Sequence, residues 1–512
     1  MINFSPWLPD IAEFNTAASS DVLNVIPSKS GFRPFPALLN VTSAITARAQ
    51  GAVSVRGLQG TIYNFCGDAT KLYKQAANGL SWADVSRLAG GAYATPVDGW
   101  WDFSIFGDYV IATNGTDVPQ YFQLDASANF ALLAGTPPTA SFTGVVRDFA
   151  ILARRNTAFN RITWSAINNV ADWVASATTM ADAQDFPDGG QIMGFTGGEF
   201  GLVFLEKSIS RMAFEGPPTI FRFDKISNQL GCRAERSIAA YENLAFFLSD
   251  DGPYMIRGGS EIISIGSEKV DRWIEANVDS GHIYRISSAI DPVHMLYMLG
   301  FASTVSSDGA PDKIVMYHWP SGQWSKAEVN HEIIYSGATQ TTWTIDGLDA
   351  LSATIEAIPY PVDSRFFAGA GRLLLSGFDS SHRQGFFNGT NLAATVETGD
   401  AQLSPGHKSL LRAVRPMVEG TSVTPSITIK YRDHLYESHT TASTVAVNTN
   451  GICVSRANRS ARKRAFGAHG VRQSQWSASP HRQRARPAVA RRQSGLDERC
   501  DRGRLLSPSF TS

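Results

Sequence analysis

Few residues in this chain have the types and spacing that do chemistry. His331-Glu332 opens like the HExxH helix of a zinc hydrolase, where two histidines hold the metal and the glutamate acts as base. The fifth position is Tyr335, so the second ligand is missing. His434 and His439 stand five residues apart on an expected strand, which puts them on opposite faces rather than around one ion. Cys66 lies in an apolar run and reads as a small buried side chain, not a nucleophile. No GxSxG elbow and no GxxxxGK[ST] phosphate loop occur.

Two acidic turns remain. LSDDGPYMIRGG (Leu248 to Gly259) and SSDGAPDK (Ser306 to Lys313) carry aspartate before glycine. A sialidase-type propeller has an Asp-rich turn that ends in Trp, and here that Trp is absent. Asp-Gly also builds hairpin turns, because both residues tolerate positive φ. Trp100, Trp101, Trp164, Trp173, Trp319 and Trp324 have the rings to stack sugars, yet the cores of small sheets use the same side chains. These residues are expected to supply no catalytic, cofactor or metal site, and the chain reads as a non-enzyme without a cofactor.

The elements that would position such groups are β-strands. The chain has 512 residues, 43% of them hydrophobic and 11% aromatic, with 44 Gly and 24 Pro, a composition suited to many short strands joined by turns. One unit recurs: an apolar strand, a Gly- or Asp-rich turn and a second aromatic strand. With Asn64, Val110, Ile151, Val203, Phe246 and Tyr297 taken as equivalent points, the spacings are 46, 41, 52, 43 and 51 residues. A period of about 40–50 residues with several strands each is the signature of propeller blades. The segment from Arg365 offers a further unit after an insertion. The expected fold is all-β: a β-propeller-like repeat of antiparallel blades with a small C-terminal β domain. The expected divisions are an extended N-terminal arm (1–50), the propeller (51–394), the terminal domain (395–458) and a basic tail (459–512). One short helix is expected over Ser267 to Val278, where Val270, Trp273, Ile274 and Val278 share a face and Ser267 would cap the start.

Charge is unevenly placed. Residues 452–512 hold 13 Arg and one Lys against three acidic residues, a net +11, which leaves −12 on residues 1–451. An acidic body lacks the clustered Lys and Arg of a nucleic-acid clamp. It suits a passage through which DNA slides, with the turn residues Asp250 and Asp251 as candidate lining. The tail has no hydrophobic periodicity, and three readings stay open: a basic arm for nucleic acid, a disordered tail, or out-of-frame translation beyond Asn458. Four cysteines without a CxxC pair, no signal-like N-terminus and no apolar run near 18 residues point to assembly in a reducing cytoplasm and no membrane segment.

Two stretches carry a family resemblance. WLPDIAEFNTAASSDVLNVIPSKSGFRPFP, from Trp7, resembles the opening of tail nozzle or packaged-DNA-stabilisation (tail tubular) proteins of short-tailed bacteriophages. LGCRAERSIAAYENLAFFLSDDGPYMIRGGSEIISIGSEKVDRWI, Leu230 to Ile274, is similar to the same family. The resemblance runs weakly over about residues 1–450, and its motifs are structural turns. It implies a virion structural protein forming a homo-oligomeric ring, often sixfold, below the portal and head-tail adaptor. Such a ring continues the channel for double-stranded DNA, retains the packaged genome and takes part in its ejection. It also implies assembly in the bacterial host cytoplasm and contacts with other tail proteins. The alternative class is a carbohydrate-binding or glycan-hydrolysing propeller acting in receptor recognition.

Overall fold

The structure is a computed structural model that describes residues 5–11, 18–28, 31–339, 354, 373–400, 423–432, 437–446 and 471–478. Seven four-stranded antiparallel sheets follow one another along the chain and form a seven-bladed propeller. Blades 1 to 6 span residues 52–84, 102–132, 140–185, 192–227, 239–264 and 287–328. Blade 7 combines Ile333–Ala338, Leu373–Phe378 and Arg383–Asn391 with Pro36–Ala44 from the N-terminal region. The ring is thus closed by a strand from the other end of the chain, and no blade is left to fray from an incomplete sheet.

The first strand of each blade is innermost. Small hydroxyl side chains tie these strands to one another: Ser104 to Thr143 at 2.7 Å, Ile334 N to Ser287 Oγ at 3.0 Å and Ala338 N to Ser54 Oγ at 2.8 Å. The second strands are the recurrent apolar runs. Asn64, Val110, Ile151, Val203, Phe246 and Tyr297 each lie on the second strand of blades 1 to 6 in turn. Such strands are covered on both faces by neighbouring blades, so they read as continuous apolar runs rather than alternating ones. Gly201–Leu205 and Leu296–Phe301 are buried along their whole length. The expected further unit after Arg365 contains blade 7's second strand, Leu373–Phe378; residues 365–372 lie outside the described residues.

Glycine permits one close approach. A Cβ on Gly67 would stand 2.3 Å from Trp101 Cδ1, so only glycine lets the Trp101 ring lie flat against blade 1. The seam between blades 7 and 1 joins an apolar cluster, Cys66 and Tyr73 against Ile333, Tyr335 and Phe378, to a buried polar chain. Asn64 donates to Gln75 and to Ala338 O, Gln75 donates to Gln384, and Gln384 donates to Tyr335 Oη.

A second sheet has the order Ser19–Leu23, Ala394–Thr398, Val471–Ala478, Val423–Tyr431, Thr440–Ala446, with all pairs antiparallel. It is the small terminal β domain, but its boundaries are broader than 395–458. One edge strand comes from the N-terminal region. Its middle strand, Val471–Ala478, comes from the segment read as a tail. Strand pairing uses backbone groups, so a polar, Arg-containing segment can fill the gap between two open edges without an apolar pattern. The Pro-Gly and Glu-Gly pairs at 405–406 and 419–420, types that favour turns, lie outside the described residues.

The N-terminal arm packs along the propeller. Trp7, Val22 and Val25 join the apolar core shared with Phe246, Tyr297, Val315 and Trp324. Asn24, in the left-handed conformation, accepts from Glu328 N and donates to Ala393 O, pinning the arm to blade 6. The expected helix is present as α1 (Asp271–Asn277), shorter than expected and without a side-chain cap from Ser267. Residues 266–270 form a turn instead, with Lys269 N and Val270 N both donating to Gly266 O. Asp10 supplies the cap: Arg272 N and Trp273 N donate to its carboxylate at 2.8 and 3.0 Å.

Candidate functional site

Each blade begins innermost and ends outermost, so the connections between blades return to the axis at one face. At this mouth, connections into blades 1, 2, 5, 6 and 7 meet. Trp100 Nε1 donates to Tyr284 O at 2.6 Å, which joins the approaches to blades 2 and 6. Arg48 Nη2 donates to Val97 O at 2.5 Å, and Ala49 N donates to Glu332 Oε2 at 2.9 Å, which adds blades 1 and 7. Arg236, before blade 5, pairs with Asp102 at 2.8 Å and lies over the Trp100 ring at 5.5 Å.

Arginine dominates the electrostatics here. Burial and then the neighbouring Arg285 guanidinium lower the pKa of Arg48, while Glu332 and Tyr284 oppose that shift. Burial raises the Glu332 pKa against the Ala49 N–H, His382 and Arg48. His382 Nδ1 meets Glu332 Oε1 at 2.5 Å. Arg285 Nη1 donates to Asp308 O at 3.2 Å. The guanidinium donors are the groups here suited to holding an anion.

Asp250 and Asp251 stand elsewhere on the same face. They are exposed on the turn between the second and third strands of blade 5, away from the first strands that line the axis. Asp250 pairs with Lys207 on the equivalent turn of blade 4. Both aspartates line a cleft of about 400 Å³ with Arg233, Asp271, Arg272 and Glu275. The Asp271 carboxyl is pushed up to about 6 by burial and by the charges of Asp10 and Asp251.

The other sequence candidates also have places. His331 is buried, donates from Nδ1 to Val329 O at 2.8 Å, and is held neutral by burial, which lowers its pKa to about 4. Tyr335 Oη accepts from Gln384 Nε2 at 2.8 Å. His439 lies between two strands and meets Asp400 at 3.0 Å; His434 is outside the described residues. Cys66 is buried, and burial pushes its thiol pKa up. Trp100, Trp101, Trp164, Trp173 and Trp324 are buried, and Trp319 packs against the core from a half-buried position. The Asp251-Gly252 and Asp308-Gly309 pairs occupy turns, with both glycines at positive φ. Arg48, Arg236 and Arg285 carry no sequence motif; their shared feature, a place just before the first strand of a blade, emerges only once the blades are delimited.

No family model and no curated protein matches this chain. Among solved structures, it is similar to YCF48 bound to D1 peptide, at 10% identity over 59% of this chain and 92% of that one, with a TM-score of 0.37. It is similar to the computationally designed Ika8 protein, at 8% identity over 72% and 96%, with a TM-score of 0.36. A chain of the mitotic checkpoint complex is similar at 11% identity over 71% and 98%, with a TM-score of 0.37. At these scores the likenesses say nothing of function.

Proposed function

We propose that this chain is a non-enzymatic structural subunit of a short-tailed phage virion. In this role it forms a nozzle-type ring, sixfold as in the resembling family, below the portal and adaptor. The ring continues the DNA channel and holds or releases the packaged genome. One contact supports the assignment. The two stretches that carry the family resemblance, from Trp7 and from Leu230 to Ile274, pack on each other: Trp7 meets Trp273 and Asp10 caps α1. A resemblance spread over two distant segments is therefore seated in one structural unit.

The net −12 on residues 1–451 fits a lumen in which DNA moves without being gripped, and Asp250 and Asp251 on the exposed face contribute to it. Negative-stain electron microscopy of the purified protein tests the assignment. The expected image is a ring of several subunits with an axial channel. A monomer or trimer that binds glycans on an array would overturn it in favour of a receptor-binding propeller.

A further inference from the structure

Arg48 and Arg285 stand on connections that meet at the axial mouth, Arg48 bonded to Val97 O just before Trp100 and Arg285 next to Tyr284, whose carbonyl Trp100 holds, and neither forms an ion pair among the described residues. Each spends one N–H on a backbone carbonyl, Val97 O for Arg48 and Asp308 O for Arg285. Among the described residues, Arg48 Nη1, Arg285 Nε and Arg236 Nε have no acceptor. The nearby carboxylates are engaged elsewhere. Glu332 is held by His382 and Ala49 N, Asp102 by Arg236 and Thr143 N, and Asp308 by Ser306 and Ala310 N. A buried guanidinium N–H left without an acceptor is costly unless an acceptor, best an anionic one, joins it.

We propose that the axial mouth binds a phosphate-type oxyanion, free or carried as a phosphomonoester, between Arg48 and Arg285. The guanidinium groups arrive on different connections, one entering blade 1 and the other blade 6. A carboxylate has one charge and one plane of lone pairs, so it matches one guanidinium fork. A phosphate dianion has charge for both and oxygens pointing in several directions. Trp100, whose indole N–H donates to Tyr284 O at 2.6 Å, ties the connections into blades 2 and 6 together. The site belongs to the single chain, so the ring assignment can fail without affecting it.

Isothermal titration of the full chain with inorganic phosphate, at constant ionic strength and near-neutral pH, tests the site. Saturable binding at one site per chain is expected, with affinity lost at least about tenfold in Arg48→Gln and in Arg285→Gln. Arg222→Gln, on an exposed strand where Arg222 pairs with Asp224, should bind as the parent does. Should the glutamine variants fail to fold, Arg48→Lys and Arg285→Lys keep the charge but lose the fork, and each should bind more weakly than the parent. Oligonucleotides with and without a terminal phosphate distinguish the sources. A preference for the phosphorylated one identifies a monoester, and competition by free phosphate alone identifies the free ion. Absence of binding at millimolar phosphate, or unchanged affinity in the Arg48 and Arg285 variants, overturns the proposal.

Discussion

Trp7 meets Trp273 edge to face, with ring centroids 5.1 Å apart and planes at 74°. Beside this contact the Asp10 carboxylate takes the free N–H groups at the start of α1. The negative carboxylate also faces the positive end of the helix. Asp10→Ala should therefore lower stability by about 1 kcal/mol, the usual cost of a lost cap. Chemical denaturation checks this, and Asp10→Asn should recover part of the loss.

The same corner is pH-sensitive. Burial and the charges of Asp10 and Asp251 raise the Asp271 pKa to about 6, above its ordinary value of 3.8. The fold therefore binds this proton more tightly than the unfolded chain does. Its contribution to stability is greatest below the unfolded value and declines as pH rises through about 6. The difference in melting temperature between the parent and Asp271→Asn should grow in the variant's favour between acid and neutral pH. A constant difference across that range would contradict the shift.

The arm is built into the core of the single chain. Trp7, Val22, Val25, Ile26 and Phe35 are all buried. From the sequence, deleting residues 1–35 is expected to impair ring assembly more than folding. The packing changes that expectation: monomer stability should fall as well, by several kcal/mol, since each lost large apolar side chain costs about 2–5 kcal/mol. Extending the deletion to residue 44 removes the outer strand of blade 7 and should abolish cooperative unfolding. Urea unfolding at low protein concentration separates these effects from assembly.

Residues beyond Asn458 can be tested by truncation. Val471–Ala478 bridges Ala394–Thr398 and Val423–Tyr431. A chain ending at Asn458 should keep the seven blades but expose both edges, so amide protection should be lost in 394–398, 423–431 and 440–446 and kept in the blades. Equal protection in the two proteins would show that the bridging strand is not formed in solution. Reading the gene settles the frame question separately, since an alternating apolar β pattern in another frame after the Asn458 codon would mark a shift.

Much of the fold was legible in the sequence because second strands are covered on both faces. That burial leaves runs such as LYMLGF and GLVFL, whose spacing counts blades even though no fixed motif is repeated. Asp-Gly turns and buried tryptophans were legible for the same local reasons. Closure was not: Pro36–Ala44 pairs with Arg383–Asn391 through backbone groups, and their alignment depends on the ring bringing distant segments together. The cap on α1 was missed because Asp10 reaches it from far along the chain, while Ser267 had the right type at the right spacing. The axial arginines were missed for the same reason. Arg48, Arg236 and Arg285 are ordinary residues in unrelated loops, and their chemistry depends on which connections the propeller gathers at its axis. Local composition and periodicity determine the strands; only the three-dimensional return of those strands to one axis decides which charges become neighbours.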